Sequence, residues 1–176
     1  TLRDSVALSN IAAGIVVGHF GVTSVSGPEL RSEVDATALH NRGKMSAEQL
    51  LSAVQVAKAR GEKIVFTNGC FDIIHAGHVG YLSEAKKLGD RLVVAINADS
   101  SVTRLKGPGR PINPVERRMA VLDGLEAVDW VVSFEEDTPE ELLRSLQPDI
   151  LVKGGDYSWE QVVGGEYVLS YGGEVK

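Results

Sequence analysis

Short and almost uninterrupted apolar runs alternate with helix-start signals from residue 46 onward, and this alternation restricts the possible folds most strongly. The clearest run is Arg91–Asn97 (RLVVAIN), and further runs lie at 64–67, 130–134 and 150–153. A strand that is apolar at nearly every position is typical of a sheet covered on both faces. Strands that alternate with helices through short connections form parallel sheets with right-handed crossovers. The sequence therefore predicts an α/β fold, a parallel sheet with helices on both faces.

Helix-start signals stand between these runs. A Ser, Thr or Asn followed three residues later by Gln or Glu can satisfy the free N–H groups of a first turn. Such signals predict helices that start at Ser46, Asn113 and Thr138 and end near residues 60, 125 and 146. A fourth helix is predicted over 78–88, because Gly89 is a typical stop. Segments 68–78, 98–113 and 154–157 follow predicted strands and should form the binding crevice at their carboxyl ends.

The first 33 residues have a different character. Apolar residues lie there at helical spacing, and a second short helix is predicted after Pro28. Because this helical pair has too few apolar residues to fold alone, we expect it to be a remnant of a larger domain. Residues 34–45 are polar without a clear period and are predicted to be a linker, and residues 46–176 form the main domain. A chain that begins at Thr1 rather than Met is expected to be a piece of a longer protein.

Composition excludes several functional classes. Cys70 is the single cysteine, which excludes a disulfide scaffold and a four-cysteine zinc site and fits a cytoplasmic protein. The net charge of −6 argues against a nucleic-acid partner. No apolar stretch reaches the about 18 residues that a membrane span requires. We therefore expect that the protein does not act on or in a membrane.

Two histidines three residues apart carry the chemistry that follows the first predicted strand, in FTNGCFDIIHAGHVGYLSEA. His75 and His78 stand at the start of a helix, where free N–H groups and the helix dipole favour an anion. Gly77 is expected to keep side-chain bulk away from that anion. This arrangement favours a site for a phosphate whose charge grows during a reaction. Half a metal site, with Asp72 as a third ligand, and a purely structural pair are the alternatives.

The motif HAGH resembles the HxGH signature of the nucleotidyltransferase superfamily. The longer string TNGCFDIIHAGHVGYL, LGDRLVVAINADSSVTRLKG, RPINPVERR, VDWVVSFEEDTPEELL and PDILVKGGDY resembles one family within it. That family is the adenylyltransferase domain of the bifunctional heptose-7-phosphate kinases / heptose-1-phosphate adenylyltransferases. The resemblance covers about residues 45–173, while ALSNIAAGIVVGHFGVTSVSGPEL resembles the end of the family's ribokinase-like sugar kinase domain.

The resemblance implies a Rossmann-like sheet and a transfer of AMP from ATP to D-glycero-β-D-manno-heptose 1-phosphate. The products would be pyrophosphate and ADP-heptose, which supplies the lipopolysaccharide core. ATP and a sugar 1-phosphate are the implied partners, with Mg²⁺ accompanying the ATP and no metal bound directly by the protein. The family continues with a Ser/Thr-rich motif beyond residue 176, so the domain is expected to be incomplete at its C-terminus. No kinase activity is expected, and a homo-oligomer is left open.

The resemblance also implies roles for individual residues. It implies that the catalytic residues are His75, His78 and Lys106, with Lys106 in a Gly- and Pro-rich loop. The residues implied to bind the nucleotide are Thr67, Asn68, Gly69, Phe71, Asp72, His75, His78, Lys153, Gly154 and Asp156. The residues implied to bind the second substrate are Asn97, Asp99, Arg110 and Arg118. Structural alternatives remain for several of these: a helix cap for Asp72 and Asp99, and a solvated side chain for Arg110. Packing is expected of Cys70, Trp130 and Phe134, and a surface position of Arg117.

Two other functions fit the same sequence. A cytidylyltransferase that acts on glycerol 3-phosphate or a similar alcohol phosphate shares the HxGH motif and differs in the base it binds. A truncated, non-catalytic nucleotide-binding module would bind ATP without turnover. A relative of the aminoacyl-tRNA synthetases is disfavoured, because the chain is short and acidic.

Overall fold

A computed structural model describes residues 2–18, 24–31, 42–154 and 162–176. The chain divides into two compact units, Thr1–Asn41 and Arg42–Lys176. In the first unit, α1 spans Leu2–Val17 and residues 27–31 are helical (α2). The α2 helix begins with a reciprocal cap, in which the Ser26 and Glu29 side chains each accept a hydrogen bond from the other's backbone N–H. Both helices predicted for this segment are confirmed.

The second unit is built on one parallel sheet. All of its strand pairs are parallel, and their spatial order is β1-β4-β3-β2-β5-β6. The predicted parallel α/β sheet is therefore confirmed. The strands are β1 Gly43–Lys44, β2 Ile64–Gly69, β3 Arg91–Asn97, β4 Trp130–Phe134, β5 Ile150–Val152 and β6 Glu174–Val175.

Helices cover both faces of this sheet. On one face, Leu50 of the helix Ala47–Ala59 packs with Phe66 and Trp130 of the strands, and on the other face Leu82 packs with Val65. Each face has its own cluster of buried side chains, which explains why the inner strands are apolar at nearly every position. Trp130 and Phe134 lie in the core as expected. The helices are α3 Ala47–Ala59, α4 Ala76–Lys86, α5 Asp99–Lys106, α6 Val115–Asp123, α7 Glu140–Leu146 and α8 Gly165–Ser170.

Only one of the three predicted capping signals is used as predicted. Ser46 and Gln49 form the complete capping box of α3. By contrast α6 and α7 begin after Pro114 and Pro139, and neither has a side-chain cap. The Asn113 amide instead donates to the backbone oxygen of Asp72 at 2.8 Å. The predicted caps at Asn113 and Thr138 are therefore wrong, because a proline takes the N-cap position in both helices.

The prediction that Lys106 lies in a Gly- and Pro-rich loop is wrong. Segment 98–113 contains α5, and Lys106 is the last residue of that helix. The sequence of α5, DSSVTRLK, is rich in residues of low helix propensity. Its formation depends on tertiary contacts: Val102 is fully buried, and the buried Ser101 hydroxyl donates to the Glu136 backbone oxygen at 2.8 Å.

The chain reverses direction across the sheet next to β2. From β2 it proceeds to β3 and β4 on one side, and then returns to β5 on the other side of β2. Ligands of open parallel sheets bind at such a switch point, outside the carboxyl ends of the strands. No helix within the described ranges is long and apolar enough to cross a membrane.

Candidate active site

An open cleft of about 640 Å³ lies at this switch point, next to the carboxyl ends of β2 and β5. Its walls are formed by the HAGH segment at the start of α4, by the end of α5 and by the residues that follow β5. Its lining is Asn68, Gly69, Cys70, Phe71, Asp72, Ile73, His75, Gly77, His78, Tyr81, Lys106, Arg110, Lys153 and Gly154. The cleft therefore unites segments that are about 85 residues apart in the chain, such as Asn68 and Lys153.

His75 is the N-cap residue of α4, and its side chain has a fixed orientation. The ring Nδ1 accepts a hydrogen bond from the Gly77 backbone N–H at 3.1 Å. When His75 is neutral, its proton therefore resides on Nε2, which remains a donor. A Cβ on Gly77 would stand 3.0 Å from this ring. The glycine thus makes room for the His75 ring, which corrects the expectation that it clears space for the anion itself.

His78 lies against His75 in the cleft. The two ring centroids are 4.0 Å apart, and the Phe71 ring is 5.2 Å from His78 on another side. Burial lowers the pKa of His78, and the neighbouring His75 and Lys106 lower it further. The buried Nδ1 of His78 has no hydrogen-bond partner among the described residues. His78 is therefore predominantly neutral at pH 7 and is placed where an anion would favour its protonation.

The turn between β2 and α4 has an unusual backbone. Phe71 has a φ of 45°, a left-handed conformation that non-glycine residues rarely adopt. Its ring lies over Gly69, where a Cβ would stand 3.0 Å from the aromatic carbons. Such conformations occur most often at functional sites, where the surrounding structure enforces them.

Cationic side chains surround the two imidazoles. Lys106, Arg110 and Lys153 all line the cleft. The Lys153 ammonium donates to the backbone oxygen of Asn68 at 3.2 Å, and burial lowers its pKa. The arrangement favours a ligand with several negative charges, such as a polyphosphate.

Asp72 lies in the wall of this basic cleft. Its carboxylate accepts hydrogen bonds from the backbone N–H groups of Ile112 and Asn113 at 2.9 Å, and Arg110 Nε lies 2.8 Å from Oδ2. Burial raises its pKa, but these N–H groups and the charges of Arg110 and Arg118 outweigh burial and hold the pKa below its ordinary value. The structure does not place Asp72 as a helix cap, and its oxygens are occupied by protein donors.

Arg118 is buried below the cleft rather than exposed to a substrate. Its guanidinium donates to the backbone oxygens of Cys70 and Asn97 and to the Asp99 carboxylate, at 2.6 to 2.8 Å. It also donates to the backbone oxygen of Asn113. The side chain has no exposed surface. The predicted role of Arg118 in phosphate binding is therefore wrong, because its donors connect the ends of β2 and β3 to α5 and to the start of α6.

Comparison with known proteins identifies the family. A family profile described as Cytidylyltransferase-like matches residues 66–166, which is more than half of the chain and contains most of the cleft. The chain belongs to this family. The resemblance to the HxGH nucleotidyltransferases is thereby confirmed.

Curated bacterial proteins align with almost the whole chain at high identity. The chain is 72% identical over 175 residues to Bifunctional protein HldE of Hahella chejuensis and 67% identical to Bifunctional protein HldE of Alcanivorax borkumensis. Each alignment covers 99% of this chain and 37% of the relative. The chain thus spans little more than a third of the length of these curated relatives.

Solved structures agree with this placement. The chain is 34% identical to the lipopolysaccharide core biosynthesis protein from Thermoplasma volcanium, with a TM-score of 0.55 over 66% of this chain and 93% of that chain. Pantoate-beta-alanine ligase from Francisella tularensis has a TM-score of 0.53, covers 77% of this chain and 66% of its own, and is 15% identical. The second likeness concerns the fold alone.

The structure brings together only some of the predicted site residues of this family member. His75, His78, Lys106, Arg110, Lys153 and the turn 68–72 line the cleft, together with Gly154. Asp156 lies outside the described residues. Cys70, expected to be packing, is partly exposed in the cleft, with its sulfur 3.8 Å from Asn97 Oδ1.

Besides Arg118, three described contact residues of the prediction are not in the cleft lining. Thr67 is fully buried, and its hydroxyl lies 2.6 Å from the Tyr81 hydroxyl. The Asn97 side chain is buried, and its amide donates to the Ser101 hydroxyl at 3.0 Å. Asp99 lies in the first turn of α5 and pairs with Arg118. The predicted side-chain contacts of Thr67 and Asn97 with a ligand are therefore wrong, because these polar groups are buried and connect structural elements. The ligand contact of Asp99, whose side chain is 43% exposed, stays a prediction.

Tyr81 was not among the predicted site residues. Its hydroxyl contacts Thr67 of β2 and donates to the Val152 backbone oxygen of β5 at 3.1 Å, so it joins the two strands at the switch point. A Cβ on Gly154 would stand 3.2 Å from the Tyr81 ring. The sequence does contain a signal for Tyr81, since it lies three residues after His78 on α4. This spacing places both side chains on one helix face.

Proposed function

We propose that this chain transfers AMP from ATP to D-glycero-β-D-manno-heptose 1-phosphate, with pyrophosphate and ADP-heptose as products. The observation that carries the proposal is the imidazole pair of His75 and His78, 4.0 Å apart at the start of α4, in a cleft with three cationic side chains. The high identity to Bifunctional protein HldE and the 34% identity to a lipopolysaccharide core biosynthesis protein support this substrate choice. Such an enzyme would act in the cytoplasm.

The reaction requires alignment and charge stabilisation rather than a base. An oxygen of the sugar phosphate attacks the α-phosphorus of ATP, and the bond from that phosphorus to the pyrophosphate oxygen breaks. The attacking oxygen already carries negative charge at pH 7, so no proton has to be removed. Asp72 is the one carboxylate among the described residues of the cleft, and protein donors occupy it. A site composed of imidazoles and cations fits these demands.

In this proposal, His75 and His78 stabilise the transferring phosphate. The Nδ1 of His75 accepts from Gly77, so the Nε2–H donor needs no reorientation when a phosphate binds. His78 is predominantly neutral in the free protein and becomes a charged donor when an anionic phosphate offsets the neighbouring positive charges.

The cations attract and orient the two negatively charged substrates. Lys106 stands at the end of α5 on one side of the cleft, and Lys153 stands after β5 on the other side. Arg110 lies beside Lys106 in the lining and is the proposed partner of the sugar phosphate. Together they reduce the repulsion between two polyanions that must approach within bonding distance.

Mg²⁺ would enter with ATP as part of the substrate. Within the described ranges, no group of three or more His, Cys, Asp or Glu side chains is arranged to hold a metal ion. In this proposal the metal ion is coordinated by the phosphates and water, and it would screen the charge of the triphosphate.

Release of pyrophosphate with ATP or with CTP tests this proposal. The chain is incubated with each nucleotide in the presence and absence of the sugar 1-phosphate, and pyrophosphate is measured enzymatically. We expect release with ATP that depends on the sugar phosphate. Release with CTP and glycerol 3-phosphate instead would indicate a cytidylyltransferase, and ATP binding without release would indicate a non-catalytic nucleotide-binding module.

A further inference from the structure

Asp72 stands between two segments of the cleft and is held by both. It belongs to the turn that leads to His75, whereas its hydrogen-bond donors, Ile112 and Asn113, belong to the segment before α6. The Asn113 amide adds a bond of 2.8 Å to the Asp72 backbone oxygen. The segment that connects α5 to α6 is therefore attached to the histidine turn through Asp72, alongside the Arg118 guanidinium, which joins the backbone oxygens of Asn113 and Cys70.

The attached segment has little structure of its own. Gly107 and Gly109 both have positive φ values, and a Cβ built on either would contact nothing within 4 Å. Apart from Asp72, residues 107–112 make local hydrogen bonds, such as the one from the Thr103 hydroxyl to the Arg110 backbone oxygen at 2.7 Å. Because Arg110 lies within this segment and its Nε lies 2.8 Å from Asp72 Oδ2, the attachment at Asp72 bears directly on where Arg110 stands.

The Asp72 carboxylate is also poorly accessible to a ligand. Its side chain is 2% exposed, and both oxygens accept backbone N–H groups. A nucleotide or a metal ion would have to displace these donors to reach it. A buried carboxylate with several donors is typical of a residue that fixes its neighbours.

We propose that Asp72 is a positioning residue for the transfer reaction, which holds segment 107–113 against the histidine turn and thereby sets Arg110 opposite His75 and His78. This inference rests on the proposed function. It assigns Asp72 an action through Arg110, on the phosphate of the acceptor substrate, instead of the direct nucleotide contact that the sequence suggested.

A double-mutant cycle distinguishes the two roles. Asp72→Asn keeps the shape and removes the charge, and we expect it to raise KM for the sugar phosphate about tenfold while kcat changes less than about threefold, the scale of one lost charge-assisted bond. Arg110→Ala should raise the same KM. Since Asp72 acts through Arg110, the double variant should be no more than about threefold worse than Arg110→Ala alone. Multiplicative effects of the two substitutions would overturn the proposal.

Hydrogen–deuterium exchange provides a readout that needs no turnover. In Asp72→Ala, which removes both side-chain oxygens, the peptide covering 107–113 should exchange at least about tenfold faster than in the wild type, since Ile112 and Asn113 lose their acceptor. Asp137→Ala is the matched control, because Asp137 pairs with Arg104 of α5 at 2.8 Å outside the cleft, and it should leave this peptide unchanged. Unchanged exchange in folded Asp72→Ala would overturn the proposal whether or not the wild type turns over. Absent turnover with altered exchange would instead contradict the proposed function alone.

Discussion

His75 and His78 are held in different ways, although they lie only three residues apart. His75 is bound through its Nδ1 to the Gly77 N–H, whereas the Nδ1 of His78 has no partner within the described part of the chain. The first imidazole is therefore fixed in orientation before any ligand arrives. The protonation of the second imidazole depends on the charge of its surroundings. Each of these two properties can be tested separately.

Gly77→Ala tests the importance of the His75 orientation. The new Cβ would stand 3.0 Å from the ring, so the ring must move by a few tenths of an ångström. We expect kcat to fall about three- to tenfold, because small misplacements of a catalytic group are costly. Steady-state pyrophosphate release measures it. Gly80→Ala on the same helix is the control, since its Cβ would contact nothing within 4 Å, and a comparable loss there would refute the interpretation.

ATP binding should take up a proton at His78. Burial and the positive neighbours lower the pKa of His78 below 6.5 in the free protein, so the ring is mostly neutral at pH 6.5. The triphosphate favours the charged form and raises the pKa, so the complex binds more protons than the free protein. Calorimetric titration in buffers of different ionisation enthalpy should show this uptake in the wild type. It should be reduced in His78→Ala, and equal uptake in both would contradict the assignment.

At the residue scale, the sequence located the site, but it did not distinguish side chains that contact a ligand from side chains that connect structural elements. The role of the HAGH motif could be predicted from the sequence, because the spacing of its two histidines and its position at a helix start are local properties. Arg118 and Asn97 carry the same polar groups as ligand-binding residues, and Asn97 also ends a strand at the expected crevice. Only three-dimensional packing shows that both side chains are buried and satisfied by neighbouring elements.

At the scale of elements, Arg118 connects the ends of β2 and β3 to α5 and to the segment before α6. Its removal leaves several buried carbonyl oxygens and a carboxylate without their donor. Buried acceptors that lose a charged partner are costly even when the hydrophobic volume is retained. The stability of the cleft's floor is thus expected to depend on this side chain.

Arg118→Met should lower the free energy of unfolding by about 2–4 kcal/mol, a cost set by the unpaired buried groups. Arg117→Met is the matched control, because Arg117 is an exposed neighbour on the same helix and should change stability by less than about 0.5 kcal/mol. Urea denaturation followed by circular dichroism measures both. Equal and small effects would contradict the buried connecting role of Arg118.

The elements themselves were predictable to the extent that local patterns specify them. β3 and β4 match their predicted bounds, since continuous apolar runs are unambiguous in a covered sheet. The short elements β1, α5, α8 and β6 were not predicted. β1 and β6 have two residues each and form by pairing with β4 and β5, and this information lies elsewhere in the chain.

At the scale of the whole molecule, charge is distributed unevenly. The chain carries a net charge of −6, yet the described cleft contains three cations and one carboxylate that protein donors occupy. Composition alone argued against a polyanionic nucleic-acid partner and gave no indication of this local basic site. The switch point of the sheet concentrates the basic residues, because it brings the ends of β2, α5 and β5 together.

The rate of ADP-heptose formation in wild type, His75→Ala and His78→Ala tests the central claim most directly. ATP and heptose 1-phosphate are supplied at saturating levels, and product is quantified by chromatography. We expect each variant to lose about 10²–10³-fold in kcat, the usual effect of removing one donor to a developing charge. Thermal unfolding and circular dichroism should show that both variants remain folded. Folded variants that form ADP-heptose at the wild-type rate would contradict the account.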